Sequence, residues 1–314
     1  MTGVTLVTGA NGLLGSRCVA ALARDPDRRV LATWNRGVNR LIATPPLNLS
    51  YLKCDLTDPA AVVKIFDREM VDAVLHTAVL LPDALPHYEE RAVAANVLAT
   101  VNLAAAALAA GCPRFVFCSS VSVYGTTAIN RRFAEEDSPA PEDAYGWSKV
   151  AAEQYLQLCC ARGGISGVSL RLAGLHGPGR QGGIFYRAAQ AAIQRQPIQL
   201  PHTRVPFQFL YLDDAVESTL RALDTNVNET LGYTVINVAS AVAPSLCNIV
   251  TAAARRAGID SMINVNPSAP VRYQIMATDR LAHWPSWRAH GIEETLASLF
   301  GWIEAKEQPG GFRL

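Results

Sequence analysis

Val4-Thr5-Leu6-Val7-Thr8-Gly9-Ala10-Asn11-Gly12-Leu13-Leu14-Gly15-Ser16 lies at the start of the chain and sets its fold. Val4 to Thr8 is a short β-branched, apolar run and predicts a strand. Gly9, Gly12 and Gly15 follow in G-x-x-G-x-x-G spacing, and a helical pattern then runs from Arg17 to Arg24. Strand, glycine loop and helix in that order form a phosphate cradle. Glycines let the backbone turn sharply and let a pyrophosphate come close, while the first N–H groups of the helix face the anion. No Gly-Lys-Ser/Thr follows, so this is not a loop that grips phosphate with a lysine. Taken alone, the loop also fits a tight strand-to-helix turn with no ligand.

Downstream, strands alternate with helices. Strands are expected at Arg29–Asn35, Leu49–Asp55, Asp72–Ala78, Arg114–Ser120 and Gly167–Leu172. Helices are expected from Asp58 to Arg68, with aspartate as cap and proline in the first turn, from Tyr88 to Ala110, and from Tyr145 to Arg162. Residues 36–48 read as a loop with a short helical piece. This order predicts an α/β fold, a doubly wound parallel (Rossmann) sheet with helices on both faces. Ligands in such sheets sit beyond the C-terminal strand ends. After residue 173 the alternation loosens. Residues 1–173 are expected to form the dinucleotide-binding domain, with 207–241 returning to it, and 174–314 mainly a smaller C-terminal substrate-binding region. There, Gln208–Leu212 and Thr234–Ala239 read as strands. Ile184–Arg195, Ala215–Leu223, Ser245–Ala257 and Ile292–Glu304 read as helices, with Asp214 and Glu217 as a capping pair for the second of them.

Composition narrows the function. The chain has 314 residues, half of them apolar, and a net charge of +1, so it gives no electrostatic case for nucleic acid or an anionic membrane. Seven cysteines lack C-x-x-C spacing and six histidines lack ligand spacing. They read as reduced cysteines of a cytoplasmic protein with no metal site. No charged leader precedes the first strand, and the alanine-rich stretch Ala92–Ala110 reads as a globular helix and not a membrane span.

Tyr145-Gly146-Trp147-Ser148-Lys149 carries the chemistry. Helical residues four apart share a face, which makes Tyr145 and Lys149 neighbours. A phenol has a pKa of about 10, and a nearby ammonium favours the phenolate. Ser119-Ser120, ending a strand, offers hydroxyls that can polarise a carbonyl oxygen. An exposed Tyr/Lys pair with no function is the alternative for this stretch in isolation.

The glycine loop, Phe115-to-Gly125, Tyr145-x-x-x-Lys149, Leu170-Arg171…His176-Gly177-Pro178-Gly179 and Phe209-to-Asp214 occur in this order. Together they resemble the extended short-chain dehydrogenases/reductases, the family of NAD-dependent epimerases and dehydratases, over nearly the whole chain. The resemblance implies Tyr145 as catalytic acid/base, Lys149 as the residue that lowers its pKa and holds the nicotinamide ribose, and Ser120, rather than Ser119, as the catalytic serine. It implies cofactor contacts from Gly9, Asn11, Gly12, Leu13, Leu14 and Gly15. Asp55 and Leu56 would flank the adenine, and His76, Thr77 and Ala78 would line the ribose and phosphates. Helices 88–110 and 145–162 would pair across a two-fold axis, giving a homodimer.

The end of the second strand reads Thr33-Trp34-Asn35-Arg36-Gly37, with no acid for the ribose hydroxyls of NAD. Arg36, with Arg40 beyond it, could pair with a 2′-phosphate, so NADP is expected, with NAD as the alternative. Where dehydratases of the family carry Asp-Glu after the serine, this chain has Val121-Ser122. Gly174 stands for an asparagine common among nucleotide-sugar enzymes, and Phe207 for an arginine, with Arg204 nearby. Ser119, Ser122, His176 and Arg204 are candidate substrate contacts. The expected activity is NADP-dependent reduction of a carbonyl on a small polar substrate, such as a ketosugar or nucleotide-linked ketosugar. The alternatives are a nucleotide-sugar epimerase with tightly bound NAD and a non-catalytic NADP-binding regulator.

Overall fold

The computed structural model describes residues 3–36, 40–81, 88–200, 205–224, 232–260, 263–265, 272–284 and 286–307. The glycine loop is flanked as expected by β1 (Val4–Thr8) and α1 (Leu13–Leu22). There follow β2 (Arg29–Trp34), β3 (Leu49–Lys53), α2 (Pro59–Arg68), β4 (Val71–His76), α3 (Tyr88–Ala109) and β5 (Arg114–Ser120). A 3₁₀ turn at Val121–Tyr124 leads to β6 (Arg132–Phe133), α4 (Ala144–Ala161), β7 (Ser166–Leu172) and β8 (Gly174–His176). The remainder is α5 (Gly183–Ile193), β9 (Ile198–Leu200), β10 (Phe209–Tyr211), α6 (Leu212–Asp224), β11 (Tyr233–Val238), α7 (Leu246–Arg256), β12 (Ile263–Val265), β13 (Ile275–Met276) and α8 (Ile292–Glu307).

Seven strands form one sheet in the order β11-β7-β5-β4-β1-β2-β3. Its sequence order reverses between β1 and β4, the switch point where such sheets open a crevice for ligands. Parallel pairing sets Thr8 opposite both Thr33 and His76, and His76 opposite Phe117. The loops that leave these four strands therefore start from one edge.

Two compact units result. One comprises Met1–Gly125, Asp137–Arg171 and Val216–Ile236, and the other Thr126–Glu136, Leu172–Ala215 and Asn237–Leu314. The first is built on the sheet. Its core joins Leu6, Val74, Phe115 and Phe117 to Leu103, Ala107 and Leu156 of the covering helices. In the second, Phe185 and Ala189 of α5 pack with Phe209, Ile249 and Ala253 of α7, and Leu296 and Leu299 of α8. Among the described residues one helical segment, Glu90–Ala109, is long and apolar enough to cross a membrane. Its Ala92, Ala99, Leu103, Ala104 and Ala107 are buried, as in the core helix of a globular fold.

Local chemistry sets the helix starts. Asp58 accepts from the N–H groups of Ala60 and Ala61, with Pro59 in the first turn, as expected. Asp143, not anticipated, caps α4 by accepting from Gly146 N at 2.6 Å. Two expectations fail. Residues 40–48 hold no helix. Asp214 is not a cap paired with Glu217, because α6 begins earlier, at Leu212. The Asp214 carboxylate instead accepts from His290 N at 2.7 Å and pairs with His290 Nδ1 at 2.5 Å, while Glu217 bridges Arg221 one turn on.

Candidate active site

The glycine loop is shaped by contact as much as by backbone freedom. Gly9 has φ of +72°, and a Cβ there would meet Ala78 N and Cα at 2.7 Å. A Cβ at Gly15 would lie 2.2 Å from Gly9 O and 2.5 Å from Thr77 Oγ1. These two glycines let α1 press against the loop and let the loop press against the chain leaving β4. Thr77 and Ala78, expected near the cofactor, form that seat: Thr77 Oγ1 donates to Thr8 O at 2.6 Å. Helix α1 opens at Gly12 with no side-chain cap and no acid in its first turn, which holds Leu13 and Leu14. Its leading N–H groups are thus set for an anion. The cradle fits a dinucleotide's pyrophosphate.

The chain beyond β2 is fastened to this loop. Asn11 Nδ2 donates to Arg36 O, and Arg40 donates to Asn11 O at 3.4 Å. Arg36 is exposed. Hydrogen bonds from Thr57, and a further one from Asn35, hold the Asp55 carboxyl below its usual range, with the Arg36 guanidinium adding to the effect. Leu56 is buried, and its carbonyl accepts from Asn102 at 2.9 Å. Asn35, Arg36 and Asp55 thus meet beyond the ends of β2 and β3.

His76 departs from expectation. Its ring does not line the edge but is turned inward, 1% exposed, and stacked on Phe117. Thr100 Oγ1 donates to Asn96 O at 3.1 Å, so it accepts from His76 Nε2 at 3.0 Å, and Nδ1 then accepts from Thr8 Oγ1 at 2.7 Å. Burial, and secondarily the Lys149 charge, pushes the imidazole down to about 3, leaving a neutral ring that ties β1 and β4 to α3.

Tyr145 lies in the first turn of α4 and Lys149 one turn later. Lys149 is 4% exposed. Its Nζ donates to Cys118 O at 2.7 Å and lies 5.7 Å from the Tyr145 ring centroid. Burial pushes its ammonium down to about 8, opposed in part by Glu153. Ser120 ends β5, and its Oγ accepts from Ser122 N at 3.1 Å and lies 3.2 Å from Ser122 Oγ. Gly146 lets the Val121–Tyr124 turn reach α4, since a Cβ there would be 2.5 Å from Ser122 O. One glycine therefore brings the serine turn and the tyrosine together.

Neighbouring strand residues point to opposite faces, and this separates Ser119 from Ser120. Ser119 Oγ donates to Glu153 at 2.5 Å. Glu153 is paired with Arg171 at 2.7 Å, and Arg171 donates to Tyr124 OH at 2.7 Å. Ser119, a candidate substrate contact, is here part of a buried brace behind the site. Glu153 was missed at the sequence level, although Tyr145, Lys149 and Glu153 run at i, i+4, i+8 along one face. Asn96 was missed too. Its amide accepts from Leu80 N at 2.8 Å and donates to Leu80 O at 3.1 Å, and it reaches Ser148 Oγ, which donates to Tyr145 O. His176 lies in the second unit, buried against Phe185 and Phe207. Arg204 lies outside the described residues.

The sequence profile of the NAD dependent epimerase/dehydratase family matches residues 5–239. The chain is 26% identical to UDP-glucose 4-epimerase 4 of Oryza sativa subsp. japonica, across 98% of this chain and 91% of that one. It is 28% identical to dTDP-6-deoxy-L-talose 4-dehydrogenase (NAD(P)(+)) of Kitasatospora kifunensis, across 67% of each. Among solved structures, MoeE5 in complex with UDP-glucose and NAD superposes with a TM-score of 0.80 at 27% identity, over 98% of this chain and all of that one. The chain belongs to the NAD-dependent epimerase/dehydratase family of extended short-chain dehydrogenases/reductases.

Proposed function

We propose that this family member interconverts a secondary alcohol and a ketone on the sugar of a nucleoside diphosphate, as a 4-epimerase with a retained nicotinamide cofactor. One arrangement carries the reading: Tyr145 and buried Lys149 one turn apart on α4, with the Ser120–Ser122 turn packed against Gly146 of the same helix, on a chain similar to a UDP-glucose 4-epimerase across 98% of its length. The cofactor supplies reversible hydride transfer. Tyr145 takes the proton of the sugar hydroxyl and later returns it. The Lys149 ammonium, itself buried, supports the phenolate. Ser120 holds the substrate oxygen through its hydroxyl, with Ser122 beside it. Val121-Ser122 provides no carboxylate for an elimination step, which argues against dehydration.

A second reading, NADPH-dependent reduction of a ketosugar nucleotide, is favoured by the end of β2. Asn35-Arg36 lacks the acid that would grip the ribose of NAD and repel a 2′-phosphate, and Arg36 is exposed beside Asp55. The two readings separate on purified protein. Retained NAD, with UDP-glucose converted to a 4-epimer and no net change in the cofactor, supports the epimerase. Protein that instead consumes NADPH stoichiometrically with a nucleotide-linked ketosugar, and whose Arg36→Ala variant loses affinity for NADPH but not NADH, supports the reductase. No turnover of any nucleotide sugar removes both.

We further propose a homodimer joined through α3 and α4. Leu98, Trp147 and Leu158 are large apolar residues left exposed on these helices, and sedimentation at the monomer mass would refute it. Seven free cysteines, six of them buried, fit a reducing cytoplasmic compartment.

A further inference from the structure

Glu153 is a carboxylate that the fold has taken out of water, 4% exposed and one turn beyond Lys149 on α4. Both of its oxygens are engaged. Ser119 Oγ donates to Oε1 at 2.5 Å, and Arg171 donates from Nε to Oε1 at 3.1 Å and from Nη2 to Oε2 at 2.7 Å. The same guanidinium donates from Nη1 to Tyr124 OH at 2.7 Å and lies 4.7 Å from the Tyr124 ring centroid. Ser119 directly precedes Ser120, and Tyr124 ends the 3₁₀ turn that follows it. One carboxylate therefore holds the chain on both sides of Ser120, from the helix that carries Tyr145 and Lys149.

Stability does not account for this arrangement. The attraction within a buried ion pair offsets its desolvation only with excellent geometry, and apolar residues of similar volume commonly serve as well or better. Its position gives the carboxylate a second use. Among the described residues, the titratable groups that face Lys149 are Tyr145 and Glu153 on α4, Cys118 on β5 and His76 on β4; Phe117 offers its ring, 4.6 Å away. Burial pushes the His76 imidazole down to about 3 and the Cys118 thiol up to about 12, so both are neutral between about pH 6 and 9. Burial disfavours the Lys149 ammonium, and Cys118 and Glu153 oppose that effect. With the thiol neutral, the Glu153 carboxylate is the charge that does so.

We propose that Glu153 is the positioning residue of this catalytic centre: its carboxylate clamps the chain on either side of Ser120 and is the buried counter-charge of Lys149. The inference rests on the tyrosine–lysine chemistry common to both readings above and adds the group that holds that chemistry in place.

The test is a pH titration of Lys149 in the full-length protein as purified. The chain has four lysines, Lys53, Lys64, Lys149 and Lys306, so ¹³C-lysine labelling gives a small set of Cε resonances, and Lys149→Met assigns one of them. Wild type is compared with Glu153→Gln, which keeps the size and an acceptor oxygen but not the charge. The second comparison is the double variant Glu153→Leu with Arg171→Met, which removes both charges and serves should Glu153→Gln not fold. The Lys149 midpoint should fall by about one pH unit in each variant. With UDP-glucose as substrate, kcat of Glu153→Gln should then drop about fivefold at pH 8 and hardly at pH 6, with KM changed less than about twofold. The double variant should melt near the wild-type temperature yet lose about a further tenfold in kcat at both pH values, as Ser120 comes loose. A Lys149 midpoint that stays put in a folded variant overturns the proposal, as does a double variant with wild-type kcat at both pH values. Wild type that leaves UDP-glucose unchanged overturns the substrate reading instead, and the lysine titration still decides the role of Glu153.

Discussion

Lys149→Met should stabilise the cofactor-free protein at neutral pH while abolishing turnover. The lysine is buried, and its pKa falls from 10.5 to about 8. That drop corresponds to about 3 kcal/mol of disfavour for the charged form in the folded state. Methionine has similar length and carries no charge, so it removes this cost. It also removes the hydrogen bond to Cys118 O, a loss of about 1–2 kcal/mol. A net gain of about 1–2 kcal/mol is expected at pH 7, from urea denaturation of both proteins. The pH dependence is the sharper check. Below the folded pKa the wild type bears the whole cost. Between about pH 8 and 10.5 the unfolded chain holds a proton that the folded one has released, so wild-type stability rises relative to the variant. The gap should close across that interval and reverse above it. A wild type more stable than the variant at pH 7, or a gap unchanged from pH 7 to 10, would refute the claim that burial is what depresses this ammonium. Turnover should fall by at least about a hundredfold, which makes the buried charge a stability cost retained for chemistry.

Gly15→Ala forces a methyl group to 2.2 Å from Gly9 O; it should destabilise by about 1–3 kcal/mol and weaken cofactor binding about tenfold or more, read by thermal melting and fluorescence titration. Asn96→Ala releases both backbone groups of Leu80 and should cost about 1–2 kcal/mol, with a fall in kcat larger than any change in KM for substrate, because Ser148 and the first turn of α4 lose an anchor. Glu153→Ala leaves the Arg171 cation buried without its carboxylate and should cost about 3–5 kcal/mol in denaturant unfolding. Pairing Glu153→Leu with Arg171→Met should recover most of that loss; failure to recover would mean that Ser119 and Tyr124 depend on the ionic brace itself.

How far the sequence could be read depended on the range of the interactions involved. Strand, glycine loop and helix at the start, the Asp58-Pro59 helix entry and the Tyr145–Lys149 spacing rest on neighbours within a few residues, and each was legible. The inward turn of His76 was not, because it depends on Thr8 and Thr100, which only the sheet register brings to its two nitrogens. Asp214 reads as a cap from its local pattern, yet it binds His290, 76 residues away. The division of labour between Ser119 and Ser120 follows from strand alternation, but only the packing of Glu153 and Arg171 decides which face is the brace and which the site.

By itself, then, the chain order of short-range signals determined a nucleotide-binding α/β fold and the identity of its tyrosine–lysine pair, since backbone turns and helical periodicity are local properties. Only the tertiary structure decided which polar groups satisfy one another within the protein. Hydrogen-bond partners such as Glu153 for Ser119, Thr100 for His76 and His290 for Asp214 are set by elements distant in sequence that burial brings together.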